Sequence, residues 1–176
     1  MKDPRLEKLA KVLVHYSTKV KPGEFVFVRA DEVAAPWVVA VTREATKAGA
    51  HVEMMLSSQE AAEARLKYAS EEELRKGNYL LEKMLERADV WLTAWGARNL
   101  KVNANIPAER LKLDAQGQSG WRTIYSERMA AGTLRWCGTQ FPTYADAQEA
   151  NMSLEDYEDF VYGAGLLDKE DPAAEW

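Results

Sequence analysis

One cysteine, two histidines and no surplus of positive charge are what this 176-residue sequence offers, and each shortage closes a class of function. A lone Cys137 excludes an internal disulfide and is compatible with a reducing compartment. Lys and Arg number 23 against 28 Asp and Glu, a net charge of -5, so no basic face is expected for nucleic acid. No apolar run is long enough to span a bilayer. The charged opening MKDPRLEKLAKVL has a helical pattern and lacks the apolar centre of a secretory leader. A dinucleotide or Walker site needs glycines after the first strand, and VRADEVAAPW has none, which weighs against nucleotide binding. His15 and His51 stand apart, with no His-x-x-x-His or Cys-x-x-Cys spacing to suggest zinc. No Ser-His-Asp or Cys-His set follows from the spacing either.

What is present describes a single acidic α/β domain, expected to be soluble and cytoplasmic. Hydrophobic residues make up 47% and charged residues 29%, ordinary globular values. Leu6, Leu9, Val12, Leu13 and Tyr16 have the spacing of an amphipathic helix capped by Asp3-Pro4. Glu24 to Ala30 reads as a buried strand, and Pro36 to Gly49 as a helix. His51 to Ser57 reads as a second strand. Ser58 to Arg87 predicts one or two helices, with a break near Ser70 and a capping box from Ser70 to Glu73. Ala88 to Gly96 is a third strand. A helix from Pro107 towards Met129 is interrupted near Gly117 and Gly120, and Thr133 to Phe141 is a fourth strand. Alternating strands and helices imply a mostly parallel sheet of about four or five strands flanked by helices, Rossmann-like without a dinucleotide fingerprint. The tail after Leu167 reads as a linker or an end.

Ligands in open α/β sheets sit beyond the carboxyl ends of the strands. Those ends hold Arg29 to Glu32, Ser57-Ser58, Trp95-Gly96 and Thr139-Gln140; Asp31, Trp95 and Thr139 are the substrate-cleft candidates among them. The stretch NMSLEDYEDFVYGAGLLD, from Asn151, raises a choice between a carboxylate metal site and an acidic helix. Ser153 is a natural cap with Asp156 reaching back, and the clustered acids match the helix dipole. Leu154, Tyr157, Phe160 or Val161, Ala164 and Leu167 share a stripe expected to face a core. The helix reading is preferred, and no residue is assigned to catalysis or metal.

MKDPRLEKLAKVLVHYSTKVKPGEFVFVRAD, TREATKAGAHVEM and LRWCGTQFPTYADAQEANMSLEDYEDFVYGAGLLD resemble the thermophilic metalloaminopeptidases of the aminopeptidase T, S and II group. The matching spans run in order from Met1 to Asp168; Gly77 to Gly120 matches less well. The resemblance implies an enzyme that removes N-terminal residues from peptides with two divalent metal ions, Zn or Co. In that group the ligands (glutamates, histidines, a tyrosine and an aspartate) lie in a second domain, and no position here matches them. Residues 1–168 are then the N-terminal domain, and 169–176 begin a linker to an absent C-terminal catalytic domain. The roles expected of this domain are walling the peptide cleft and forming a homodimer, with no metal bound and no activity alone. The competing reading is a stand-alone, non-catalytic α/β module that binds a small ligand or a protein.

Overall fold

A computed structural model describes residues 3–176. Four parallel strands, β1 (Phe25–Asp31), β2 (His51–Ser57), β3 (Val90–Trp95) and β4 (Arg135–Gln140), form one sheet in the order β2-β1-β3-β4. The expected parallel α/β architecture is thus observed, with β1 and β3 central and β2 and β4 at the edges. Register places Arg29 beside Met55 on one side and Thr93 on the other.

Side chains alternate across a strand, so the two faces carry separate cores. Val26, Val28 and Ala30 join Val90, Leu92 and Ala94 on one face. That face is covered by α1 (Pro4–Lys11) and α2 (Ala35–Lys47), with Tyr162 and Leu167 from beyond β4. Phe27 and Trp91 face the other way, against Leu81 and Leu85 of α5 (Tyr79–Arg87) and Trp121, Ile124 and Tyr125 of α7 (Ser119–Ala130). A satellite cluster of Leu66, Leu74, Ile106 and Leu113 ties α3 (Gln59–Tyr68), α4 (Glu71–Arg75) and α6 (Ala108–Gly117) together beside the sheet.

Several local expectations need correction. Asp3 does cap α1, accepting from the Arg5 amide at 2.8 Å, but the helix does not stay α-helical to Tyr16. It widens to a π-helix over Val12–Ser17, where Thr18 bonds Leu13 through both its amide (3.1 Å) and its hydroxyl (2.7 Å). Ser58 to Arg87 holds three helices, because Gly77 at φ 73° and the capping side chain of Asn78 add a second break. Ser70 accepts from the Glu73 amide at 3.2 Å, yet Glu73 pairs with Lys76 instead of closing the box. The break near Gly117 falls as expected, between α6 and α7.

After β4 come α8 (Tyr144–Glu149) and α9 (Leu154–Ala164), the latter being the acidic helix. Its cap is Ser153, accepting from the Asp156 amide at 3.1 Å; Asp156 returns to the serine hydroxyl at 2.7 Å, not to its backbone amide. The apolar stripe is met in part: Val161 and Leu167 pack on the core as expected. Tyr162 is the buried residue of α9, while Phe160 is 63% exposed and Ala164 faces solvent. Arg5 holds this side of the helix: it pairs with Glu158 at 2.9 Å and Asp159 at 2.7 Å and lies 4.5 Å over the Tyr162 ring. The tail is not featureless. Lys8 donates to the Leu167 carbonyl at 3.1 Å, and α10 (Pro172–Glu175), capped by Asp171, buries Pro172 near the π-helical turn.

Candidate functional site

Above the point where α5 and α7 stop covering the sheet, the strand ends open into a cavity of about 630 Å³. Its floor is the face of the sheet that carries Phe27. Arg29 and Asp31 of β1, Ser57 of β2, Trp91, Thr93 and Trp95 of β3, and Trp136 and Gln140 of β4 all line it. Trp121 and Tyr125 of α7 form a wall, and Ala97 and Leu100 of the loop after β3 form part of the rim. Two anchors hold that rim down: Gln59 accepts from the amides of Arg98 and Asn99 at 2.7 and 3.1 Å, and Arg98 pairs with Glu32 at 3.1 Å.

The aromatic lining is one connected set. Trp91 meets Trp121 and Tyr125 edge to face, with ring centres 6.1 and 5.3 Å away, geometries that aromatic quadrupoles favour. Trp136 lies 6.3 Å from Trp91 and 6.1 Å from Trp95. The tilt of Trp95 over β4 depends on Gly138, since a Cβ there would sit 2.4 Å from the Trp95 ring. Trp95 is left 51% exposed at the mouth.

The polar groups set the electrostatics. Burial pushes the Arg29 guanidinium down from its usual range, and no acidic neighbour among the described residues opposes it; guanidinium basicity still keeps it charged. Burial also raises Asp31. The Val33 N–H, at 3.4 Å, works against that rise, while Glu32 and Glu60 add to it. Asp146 of α8 is already engaged, accepting from Thr143 at 2.6 Å and from the Gln140 amide at 3.1 Å. Thr93 is only 7% exposed yet borders the cavity.

Of the three cleft candidates, the structure brings Asp31 and Trp95 to one cavity. Thr139 lies elsewhere: it follows the opposite alternation from Trp136, Gly138 and Gln140, and its hydroxyl donates to the Gln140 carbonyl at 3.4 Å. Strand-end position alone missed the aromatic wall of Trp91, Trp121, Tyr125 and Trp136. The available signal was the alternation of Trp91 with Trp95, which puts both rings on the Arg29 face.

Among the described residues no group of three or more His, Cys, Asp or Glu is arranged to hold a metal ion. His15 pairs with Glu44 at 2.8 Å across the α1–α2 side, and His51 with Glu53 at 3.3 Å on β2. Of the acids of α9, Asp156 is engaged with Ser153, and Glu158 and Asp159 with Arg5. These residues do not fit the metal pair that the resemblance implies for a whole enzyme. Nor is any helix of the described residues long and apolar enough to cross a membrane.

Comparison with known proteins gives consistent results. The family model described as thermophilic metalloprotease (M29) matches residues 2–176. Aminopeptidase 2 of Geobacillus stearothermophilus is 26% identical over 193 residues, an alignment that takes in 99% of this chain and 45% of that protein. Wild-type AmpT from Thermus thermophilus superposes with a TM-score of 0.76 at 21% identity, covering 91% of this chain and 42% of its own; at that identity the likeness speaks for the fold. The chain spans less than half the length of these relatives.

Proposed function

The chain belongs to the thermophilic metalloprotease (M29) family, and from that premise we propose that it is the N-terminal domain of a metal-dependent aminopeptidase. The parent enzyme is a cytoplasmic homodimer that hydrolyses N-terminal residues from peptides. Residues 1–168 form this domain, and 169–176 lead towards a C-terminal catalytic domain that holds two divalent metal ions. In this reading the domain supplies no catalytic group. It walls the peptide cleft from its strand ends, where Asp31 and Trp95 line the cavity, and it contributes to the dimer.

The observation that carries the reading is coverage. The family match fills residues 2–176, yet that span reaches only 45% of Aminopeptidase 2.

The test compares the purified 176-residue chain with the full reading frame from which it comes, using an aminoacyl chromogenic substrate and added zinc or cobalt. The expected result is metal-dependent hydrolysis by the full protein only, with no stoichiometric metal on the short chain. Robust metal-dependent cleavage by the short chain would overturn the proposal. A reading frame that stops at Trp176 would instead favour a stand-alone ligand-binding module, a reading that the open cavity also supports.

A further inference from the structure

Arg29 is the anomaly of the sheet. It interrupts the apolar run of a central strand, lines the cavity, and has no acidic partner among the described residues. Holding an unpaired charge in a partly buried place is costly, and a guanidinium so held is primed to receive a carboxylate through two parallel N–H donors.

Asp31 lies two residues further on and shares the same face, its Cα about 6.6 Å away along the strand. Opposite charges so close would be expected to meet, yet they form no ion pair. Among the described residues Asp31 accepts only from the Val33 amide, at a long 3.4 Å, and Arg98, the cation whose charge reaches it, is bound to Glu32. The cavity therefore presents a positive and a negative group on one face, neither of them paired with the other.

This arrangement selects among ligand classes. A simple anion drawn to Arg29 would meet the repulsion of Asp31 and Asp146, and a simple cation drawn to Asp31 would meet Arg29. A molecule with a carboxylate and an ammonium on one carbon satisfies both. The remaining lining is aromatic, with Trp95 half exposed at the mouth and Trp91, Trp121, Tyr125 and Trp136 behind it. The volume, about 630 Å³, is within the range of small-molecule sites.

We infer that this cavity binds a free aromatic α-amino acid, its carboxylate on Arg29, its ammonium on Asp31 and its ring against the tryptophan wall. The site is built from residues of this domain alone. A chain that binds the amino acid while cleaving no peptide is therefore the expected pair of results, and failure of either leaves the other standing.

The test titrates the 176-residue chain with L-phenylalanine, read by tryptophan fluorescence and by calorimetry. In parallel it uses 3-phenylpropionate, which lacks the ammonium, and phenethylamine, which lacks the carboxylate. Phenylalanine is expected to saturate, and each analogue to bind at least about tenfold more weakly, the loss of one charge-assisted contact. Arg29→Gln should weaken phenylalanine by a similar factor and leave phenethylamine unimpaired or bound more tightly. Asp31→Asn should weaken phenylalanine and leave 3-phenylpropionate unimpaired. Should either variant fail to fold, the three ligands on the unaltered chain decide the matter. No saturable signal with phenylalanine, equal binding of all three, or an Arg29→Gln chain that binds phenylalanine as before overturns the inference.

Discussion

Arg5→Met tests the account of how the acidic helix is held. Arg5 pairs with Asp3 at 3.0 Å, Glu158 at 2.9 Å and Asp159 at 2.7 Å, with its guanidinium 4.5 Å from the centre of the Tyr162 ring. Exposed ion pairs contribute about 0.2–1 kcal/mol, whereas breaking a buried pair costs about 3–5 kcal/mol. Arg5 and Glu158 lie between these limits, with side chains 28% and 32% exposed, while Asp159 is 74% exposed. The cation–π contact adds about 0.5–1 kcal/mol. Methionine keeps the apolar stem over Tyr162 but leaves Asp3 and Glu158 without their cation, so a loss of about 2 kcal/mol is expected. For a chain of this length that is a fall in Tm of roughly 4–8 °C. Glu158→Gln should cost about half as much, and Asp159→Asn under about 0.5 kcal/mol.

The pH dependence follows from Asp3. Burial works to raise its pKa, but the hydrogen bonds and charge of Arg5 prevail and hold the carboxyl below its usual range. A depressed folded pKa gives stability that is present above the unfolded value, near 3.9, and is lost as pH falls through the folded value. The gap in Tm between the native chain and Arg5→Met should therefore be full at neutral pH and shrink below about pH 4. Melting followed by circular dichroism from pH 7 to pH 3 measures it. A variant melting within about 1 °C of the native chain at pH 7, or Asp159→Asn costing as much as Glu158→Gln, would refute the reasoning.

Two glycines give contrasting expectations. At Gly117 a Cβ would lie 2.4 Å from the Leu74 carbonyl oxygen, 2.9 Å from the Gly77 nitrogen and 3.0 Å from the Arg75 carbonyl carbon. These are backbone atoms of the α4 end, which cannot yield without disturbing the α4–α6 packing, so Gly117→Ala should cost about 2–3 kcal/mol in chemical denaturation. At Gly138 the obstacle is the far end of the half-exposed Trp95 ring, 2.4 Å away, which is able to swing outward. Gly138→Ala should therefore cost under about 1 kcal/mol while shifting tryptophan emission to the red and weakening phenylalanine binding. A cooperative loss of fold in Gly138→Ala, or a neutral Gly117→Ala, would contradict these contacts.

Legibility in the sequence followed the reach of each interaction. The four strands and the α/β order were readable because they rest on short periodicities and on caps such as Asp3 and Ser153, whose partners lie within three residues. Boundaries failed where a distant residue intervened. Helical periodicity put Phe160 or Val161 on the inner stripe of α9; Val161 does pack against the core, but the burial of Tyr162 beside it goes with Arg5, 153 residues before Glu158. Glu73 departs for a local reason: Lys76, three residues on, captures it before it is able to complete its box.

The site divides along the same line, and Arg29 shows where a closer reading of the sequence would have succeeded. Alternation along β1 already places Arg29 with Phe25, Phe27 and Asp31, on a face whose first half is covered by α5 and α7. A strand that buries apolar residues on both faces and then carries an arginine must either pair that charge or open a space around it. Trp91 and Trp95 on β3 follow the same alternation, so the cation and two indoles were placeable on one face before any tertiary contact was known. What remained illegible was the wall. Trp121, Tyr125 and Trp136 reach the cavity only through the packing of α7 and the register of β4. That no acid among the described residues pairs with Arg29 depends on which residues the packing brings to those walls. The charge was visible in the chain; its vacancy for a ligand is a consequence of the fold.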